Sequence, residues 1–436
     1  MSCYYNETNA ATHSARRMPQ DFTDFPLADA DKCVKCALCL PHCPTYRESL
    51  DEGESPRGRI ALMQGFATSA LEITPTLTGH LDRCLACRAC EAVCPAEVPY
   101  GKLIDAARAQ LVRHGRQEPR MARAFAVCMR HPWLLRCLHV LLWLTQFFGL
   151  HKLAFISPQL QRLVKMLPQL IAPHRWHSAN LPSHNGRQEV ELFLGCIARI
   201  TQPGVMRASI KILNTLGYSV RIPDGQTCCG ALDQHAGRVA QASAQALKNL
   251  EAFSSDTAVP LLHTASGCGA TLGEYPLLVA DPRAAAFSTR SQDISAFLAG
   301  QAQLKQIKFK PLPAKVLLHS PCTLKNVLKT DKAVADLLRC IPELKLEILP
   351  NSVGCCGAAG SYVMTEPQIA DRLADHIVTA VEKAHPTIVV TSNVGCSLHL
   401  RAALQRHGQE IPLLHPLELL AQQLPDETRA SAIIPA

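Results

Sequence analysis

Aromatic residues are scarce in this 436-residue chain, at 5%, and charged residues are few, at 18%. With 47% hydrophobic residues the composition is globular, and long disorder is excluded. No Lys/Arg cluster alternates with aromatics, so no nucleic acid is expected as a partner. The excess of 44 basic over 36 acidic residues suits at most an acidic partner surface or anionic lipid headgroups. No G-x-G-x-x-G opens a nucleotide fold, so no dinucleotide site is expected here. Long apolar runs are missing too. The most apolar stretch, residues 133–150, is interrupted by Arg136, His139 and Gln146, too soon to span a bilayer. Its two tryptophans and two phenylalanines fit a helix packed between modules or under a partner, or one lying on a membrane surface. The start, Met1 to Asp31, has no continuous apolar segment and carries Asp21, Asp24, Asp29 and Asp31. It reads as neither a secretory nor a transit signal, which points to the cytoplasm.

Cysteine is what the chain has in excess: 20 residues. The length excludes a small disulfide scaffold, and in a reducing compartment cysteines are metal ligands or redox groups. Their order carries the information. Cys33-x-x-Cys36-x-x-Cys39-x-x-x-Cys43-Pro44 is followed by Cys84-x-x-Cys87-x-x-Cys90-x-x-x-Cys94-Pro95, with identical spacing. This pair of runs is the signature of a bacterial two-cluster ferredoxin. Three cysteines at two-residue gaps wrap one turn of chain around a cubane cluster. The fourth, followed by proline, points away and reaches the other cluster. The first [4Fe–4S] cluster is therefore expected on Cys33, Cys36, Cys39 and Cys94, and the second on Cys84, Cys87, Cys90 and Cys43. Paired zinc sites are the alternative, but zinc normally takes two separated pairs rather than four cysteines closed by Cys-Pro. Between the runs, residues 56–72 and 102–113 alternate with helical period, predicting a mostly helical module. Arg57 and Arg59 are candidates to offset cluster charge or, equally, surface arginines at a helix start.

The remaining half repeats itself. Cys196, Cys228-Cys229-Gly230 and Gly267-Cys268 are answered by Cys322, Cys355-Cys356-Gly357 and Gly395-Cys396, at nearly equal intervals. Apolar runs at 190–195, 259–266, 315–321 and 387–393 precede Cys196, Cys268, Cys322 and Cys396 and read as buried strands. Stretches 236–253 and 367–384 between them read as helices. The fold class expected is α/β, with a mostly helical N-terminal ferredoxin module and two repeated open α/β, parallel-sheet Cys-Cys-Gly units. The eight repeat cysteines fall at strand ends, where such sheets bind ligands, and are candidates for a further cluster or metal. The adjacent pairs are too strained for an ordinary disulfide. Five segments are expected: a tail over 1–25, the ferredoxin domain over 26–115, a connector and linker over 116–187, and the repeats over 188–310 and 311–425. Cys3, Cys128, Cys137 and Cys340 lie outside both patterns and read as small buried hydrophobes or, for Cys3, an incidental terminal residue.

These motifs resemble the iron–sulfur subunit of bacterial glycolate oxidase over roughly residues 30–420. The residues that carry the resemblance are Cys43-Pro-Thr-Tyr-Arg47, Pro56-Arg-Gly-Arg-Ile60, His80-Leu-Asp-Arg-Cys84, Thr264–Ala270 and Cys355–Tyr362. The chain is also similar to the C subunit of anaerobic glycerol-3-phosphate dehydrogenase and, more distantly, to heterodisulfide reductase subunits. The resemblance implies two flavin-binding dehydrogenase subunits as partners, with FAD on them alone. They oxidise glycolate to glyoxylate, and this chain passes the electrons to a quinone or another non-oxygen acceptor, in the cytoplasm or peripherally on the inner face of the membrane. D-lactate or glycerol-3-phosphate as the substrate, or disulfide reduction at the repeat cysteines, are the alternatives. One departure stands out. The heterodisulfide reductase repeats end in Cys-x-x-Cys, whereas Thr271 and His399 occupy the last position here. His399 is either an extra ligand or a histidine on a helix face.

Overall fold

The computed structural model describes residues 25–150, 158–173, 175–176, 188–254 and 256–426. Cys3, nearly all of the expected tail and residues 177–187 of the expected linker lie outside the described residues.

The N-terminal unit is helical, as its periodicity predicts. Ser55 caps the helix Pro56–Ala67 by accepting from Gly58 N, and Pro56 opens the first turn, where its missing N–H costs nothing. Thr74 caps Pro75–Asp82 in the same way. These helices and Tyr100–Arg113 close over a core of Ile60, Met63, Phe66, Leu81, Leu103 and Leu111.

Two α/β units follow. In the first, β1 (Glu189–Phe193), β2 (Ser219–Arg221), β3 (Leu261–His263) and β4 (Ser291–Asp293) form a parallel sheet of order β2-β1-β3-β4. In the second, β5 (Lys315–His319), β6 (Lys345–Ile348), β7 (Ile388–Thr391) and β8 (Leu413–Leu414) repeat it as β6-β5-β7-β8. The central strands are nearly continuous apolar runs because helices cover both faces, as in Leu317, Leu318, Val389 and Val390. The expected helices form at Val239–Ala252 and Pro367–Ala384.

The two units are joined symmetrically. Helix Pro203–Thr215, after β1, packs on Pro416–Gln422, after β8; Ile294–Ala299, after β4, packs on Asp331–Arg339, after β5. One core takes Val190, Leu192 and Leu262 from the first unit and Val316, Leu318 and Val390 from the second. The repeats are thus separate in sequence but continuous in packing.

Helices Arg120–Arg130 and Pro132–Phe147 lie on the first α/β unit, where Met129 and Leu135 join the cluster that holds Phe193 and Tyr275. Pro132–Phe147 leaves Trp133, Leu141 and Phe147 at 65%, 59% and 69% exposure. Among the described residues no helix is long and apolar enough to cross a membrane.

Candidate redox centres

The cysteine runs fold as loops whose backbone does unusual work. Lys35 and Ala37 in the first run, and Ala86 and Arg88 in the second, have positive φ between 48° and 69°. They occupy equivalent positions, two and four residues after the first cysteine. Left-handed backbone costs a non-glycine residue about 1–2 kcal/mol. Such strain, repeated at matching sites, persists where it serves a function. Here it turns amides toward sulfur: Ala86 N donates to Cys84 Sγ at 3.4 Å.

The loops surround two cavities. Cys33, Cys36, Cys39 and Cys94 line one of them, and Cys90 also reaches its wall. Cys43, Cys84, Cys87 and Cys90 line the other. Each cavity thus meets three cysteines of one run and the fourth of the other run. The first is the outer cup: Cys36 is exposed and flanked by Val34 and Leu38, at 71% and 57% exposure. The second is the inner cup, and all four of its cysteines are buried. Burial raises the Cys87 and Cys90 thiols well above the ordinary cysteine range.

Residues outside the cysteine runs complete the inner cup, among them one of the two arginines named as candidates to offset cluster charge. Arg59 is 1% exposed; its Nη1 donates to Thr45 Oγ1 at 2.9 Å and lies 3.9 Å from Cys43 Sγ. Its other side meets Glu54 at 2.5 Å, a carboxylate that also holds His80 and Arg83. Arg57 instead stays on the surface, bound to Glu52 at 2.6 Å. Tyr100 lines both cups and donates its hydroxyl to Cys84 Sγ at 3.7 Å.

The repeat cysteines also gather. Cys196, Cys228, Cys229 and Cys268 border one cluster at the carboxyl ends of β1, β2 and β3. In the second unit Cys322 contacts Cys355, Cys355 contacts Cys356, and Cys356 Sγ lies 2.8 Å from Cys396 Sγ. The thiols of Cys322 and Cys356, with the Gly357 amide donating at 3.4 Å, hold Cys355 well below the ordinary thiol range. Gly230 and Gly357 both have positive φ, and a Cβ on Gly357 would stand 2.6 Å from Ala370 O. Glycine is therefore required at both places. Asn393 Nδ2 donates to Cys396 Sγ at 3.5 Å.

His399 does not face its cup. Nδ1 meets Cys356 O at 2.8 Å and Nε2 meets Asp371 at 3.5 Å, so both ring nitrogens are engaged. Thr271 is buried and turned back to its own helix, at 3.4 Å from Gly267 O. Cys128 packs at the edge of the first unit's core, and Cys340 Sγ donates to Asp336 O at 3.5 Å. Cys137 is exposed on Pro132–Phe147, not the buried hydrophobe expected, because it falls on that helix's outer face.

The two classes of cup are neighbours. Cys87 and Cys355 share one buried cluster, with Cys322 at its border. Asn326 Nδ2 donates to Cys87 O at 2.8 Å, tying the inner cup to the second unit. All the described cysteines are free. Among the described residues no three His, Cys, Asp or Glu are spaced for a single metal ion. What the fold offers is four thiols around a cavity, a donor set that suits a cubane with one thiolate per iron.

Residues 29–98 match the family model of the 4Fe–4S dicluster domain, and residues 190–273 and 316–401 each match that of the cysteine-rich domain. The chain is 32% identical to the "Probable glycolate oxidase iron-sulfur subunit" of Bacillus subtilis over 413 residues, 89% of this chain and 93% of the relative. It is 30% identical to the "Glycolate oxidase iron-sulfur subunit" of Escherichia coli over 408 residues, 91% and 94% of the two chains. It is 28% identical to "Lactate utilization protein A" of Halalkalibacterium halodurans over 240 residues, 54% of this chain and 97% of that one.

Proposed function

Since the chain belongs to the family of glycolate oxidase iron–sulfur subunits, we propose that it relays electrons from two flavin-binding subunits, which oxidise glycolate to glyoxylate, to a quinone-type acceptor. The observation that carries this reading is the pair of four-cysteine cups, each completed by a cysteine of the other run. Cys33, Cys36, Cys39 and Cys94 would hold one [4Fe–4S] cluster, and Cys84, Cys87, Cys90 and Cys43 the other. When bound, each cluster supplies a one-electron store.

The chain's own residues give the relay a direction. The outer cup, beside exposed Val34 and Leu38, offers a place for a flavin subunit to dock. The inner cup has all four of its cysteines buried. Arg59 and Tyr100 direct positive charge and an O–H donor at its sulfurs. Cys87 then abuts Cys355 and Cys322, which makes the second Cys-Cys-Gly unit the next station. The repeat cysteines could hold a further cluster; failing that, the repeats serve to dock partners. We place the protein in the cytoplasm, peripheral to the inner membrane face, with the exposed side of Pro132–Phe147 as the contact.

A relative named for lactate use keeps D-lactate open as the hydroxy acid, since the substrate pocket would belong to another subunit. The test of cluster number and ligation is anaerobic purification of the complex, with iron counting and low-temperature spin resonance. Cys43→Ser should perturb the cluster of the second run, and Cys94→Ser that of the first. Perturbation of each run's own cluster instead would overturn the crossed arrangement.

A further inference from the structure

A cavity of about 330 Å³ lies between helix Pro132–Phe147, the residues Pro173, Arg175 and Trp176, and the carboxyl ends of β1 and β2. In open parallel sheets, ligands collect outside the carboxyl ends of the strands. The volume is that of a small-molecule site. Its walls combine two chemistries. Leu135, Trp176 and Ile200 make it apolar, while Arg136, Arg175 and Arg199 bring three guanidinium groups to it. Asp224 is the carboxylate on the lining, and it is exposed.

Arg199 connects this cavity to the first repeat cup. Its Nε donates to Gly195 O at 2.7 Å, and Cys196 and Cys228 both lie within range of its charge. The helix that roofs the cavity is also the one that turns Trp133, Leu141 and Phe147 outward.

Resting on the relay proposed above, we propose that this cavity binds the head group of a lipophilic quinone. The guanidinium N–H groups match two carbonyl oxygens, and the apolar walls match the ring and the start of its tail. A small anion would use the arginines and leave the apolar wall unfilled; a hydrocarbon would fill the apolar wall and make no use of their charge. Oxidation of a 2-hydroxy acid to the 2-oxo acid releases two electrons and two protons. The quinone takes up two electrons and, from solvent at the exposed rim beside Arg136 and Arg175, two protons on its oxygens, giving the hydroquinone.

The test uses the intact complex and a short-tailed ubiquinone analogue. Binding is read in the absence of substrate by equilibrium dialysis and by quenching of tryptophan fluorescence. Arg199→Gln and Arg136→Ala should each weaken binding about tenfold, the loss of one charge-assisted hydrogen bond. Iron content and circular dichroism establish that the variants are folded, and Arg136, being exposed, can be replaced without loss of packing. Unchanged affinity in both variants, or displacement of the analogue by inorganic phosphate at equal concentration, would overturn the assignment. Weakened binding in these variants, in a complex whose Cys87→Ser form still reduces quinone, would support the cavity while refuting the relay. Quinone reduction and affinity both unaffected by the two substitutions would remove the cavity and leave the relay standing.

Discussion

Arg59 carries a positive charge into the wall of the inner cup, where water cannot screen it. Its guanidinium is shared among Cys43, Thr45, Glu54 and the carbonyl of His80, the last at 2.7 Å. Arg59→Gln removes that charge and leaves Glu54, itself only 3% exposed, with a weaker set of partners. Breaking a buried pair from one side costs about 3–5 kcal/mol, readable in chemical denaturation. The cluster proposed for the inner cup should titrate at a more negative potential in the variant, because its extra electron loses a nearby cation. A potential that stays put would show that Arg59 serves packing alone. Neighbouring Arg57 looked the same in sequence. The difference arises because Arg59 falls on the face of helix Pro56–Ala67 that also buries Ile60 and Met63, whereas Arg57 leans out to Glu52.

Among the elements, the cysteine-glycine loops show how a motif fits its support. Both loops rest on the helix that follows them, Gly230 against Val239–Ala252 and Gly357 against Pro367–Ala384. An added Cβ would sit 3.3 Å from Ala242 O in the first unit, but 2.6 Å from Ala370 O and 2.9 Å from its Cα in the second. Either alanine substitution pays about 1–2 kcal/mol for left-handed backbone. Gly357→Ala must also move backbone, so it should lower the melting temperature more than Gly230→Ala; the reverse order would contradict the packing described. This much of the fold was legible in advance, because strands, cysteine spacing and glycine position are local signals. Burial runs ahead of Cys196, Cys268, Cys322 and Cys396 marked four of the eight strands. The short β2, β4 and β8 carried no such run, and β6 exposes three of its four residues, so these were invisible to the pattern. The exposure of Cys137 went unseen for a related reason: an apolar helix does not announce which side it covers.

In the whole molecule, the helical unit is clamped across both α/β units by polar contacts far apart in sequence. Arg47 Nη1 donates to Ser352 O at 2.8 Å, and Glu48 meets Arg372 and His376 at 3.0 and 2.7 Å on the second unit. On the first, Arg108 donates to His235 O at 3.0 Å, and His235 Nδ1 lies 3.0 Å from Asp105. Burial opposes the imidazolium, but the Asp105 charge outweighs it and raises the His235 pKa. A raised histidine stabilises fully below its unfolded value of about 6.5 and loses that contribution as pH climbs through the folded value. Hydrogen exchange in Tyr100–Arg113 should therefore quicken as pH rises above the ordinary histidine range, after correction for intrinsic rates. His235→Gln should flatten that dependence; a clamp that tightens with pH would be inconsistent with it. None of these contacts, nor the approach of Cys87 to Cys355, has a local sequence signature, because they join residues more than a hundred positions apart.

The relay stands most directly on Cys87, the inner-cup cysteine that faces the second unit. In the intact complex, glycolate-driven reduction of a quinone and of a dye that takes electrons at the flavin can be followed side by side with Cys87→Ser. The account predicts that quinone reduction collapses while dye reduction at the flavin persists. Loss of both together, or survival of quinone reduction, would contradict it.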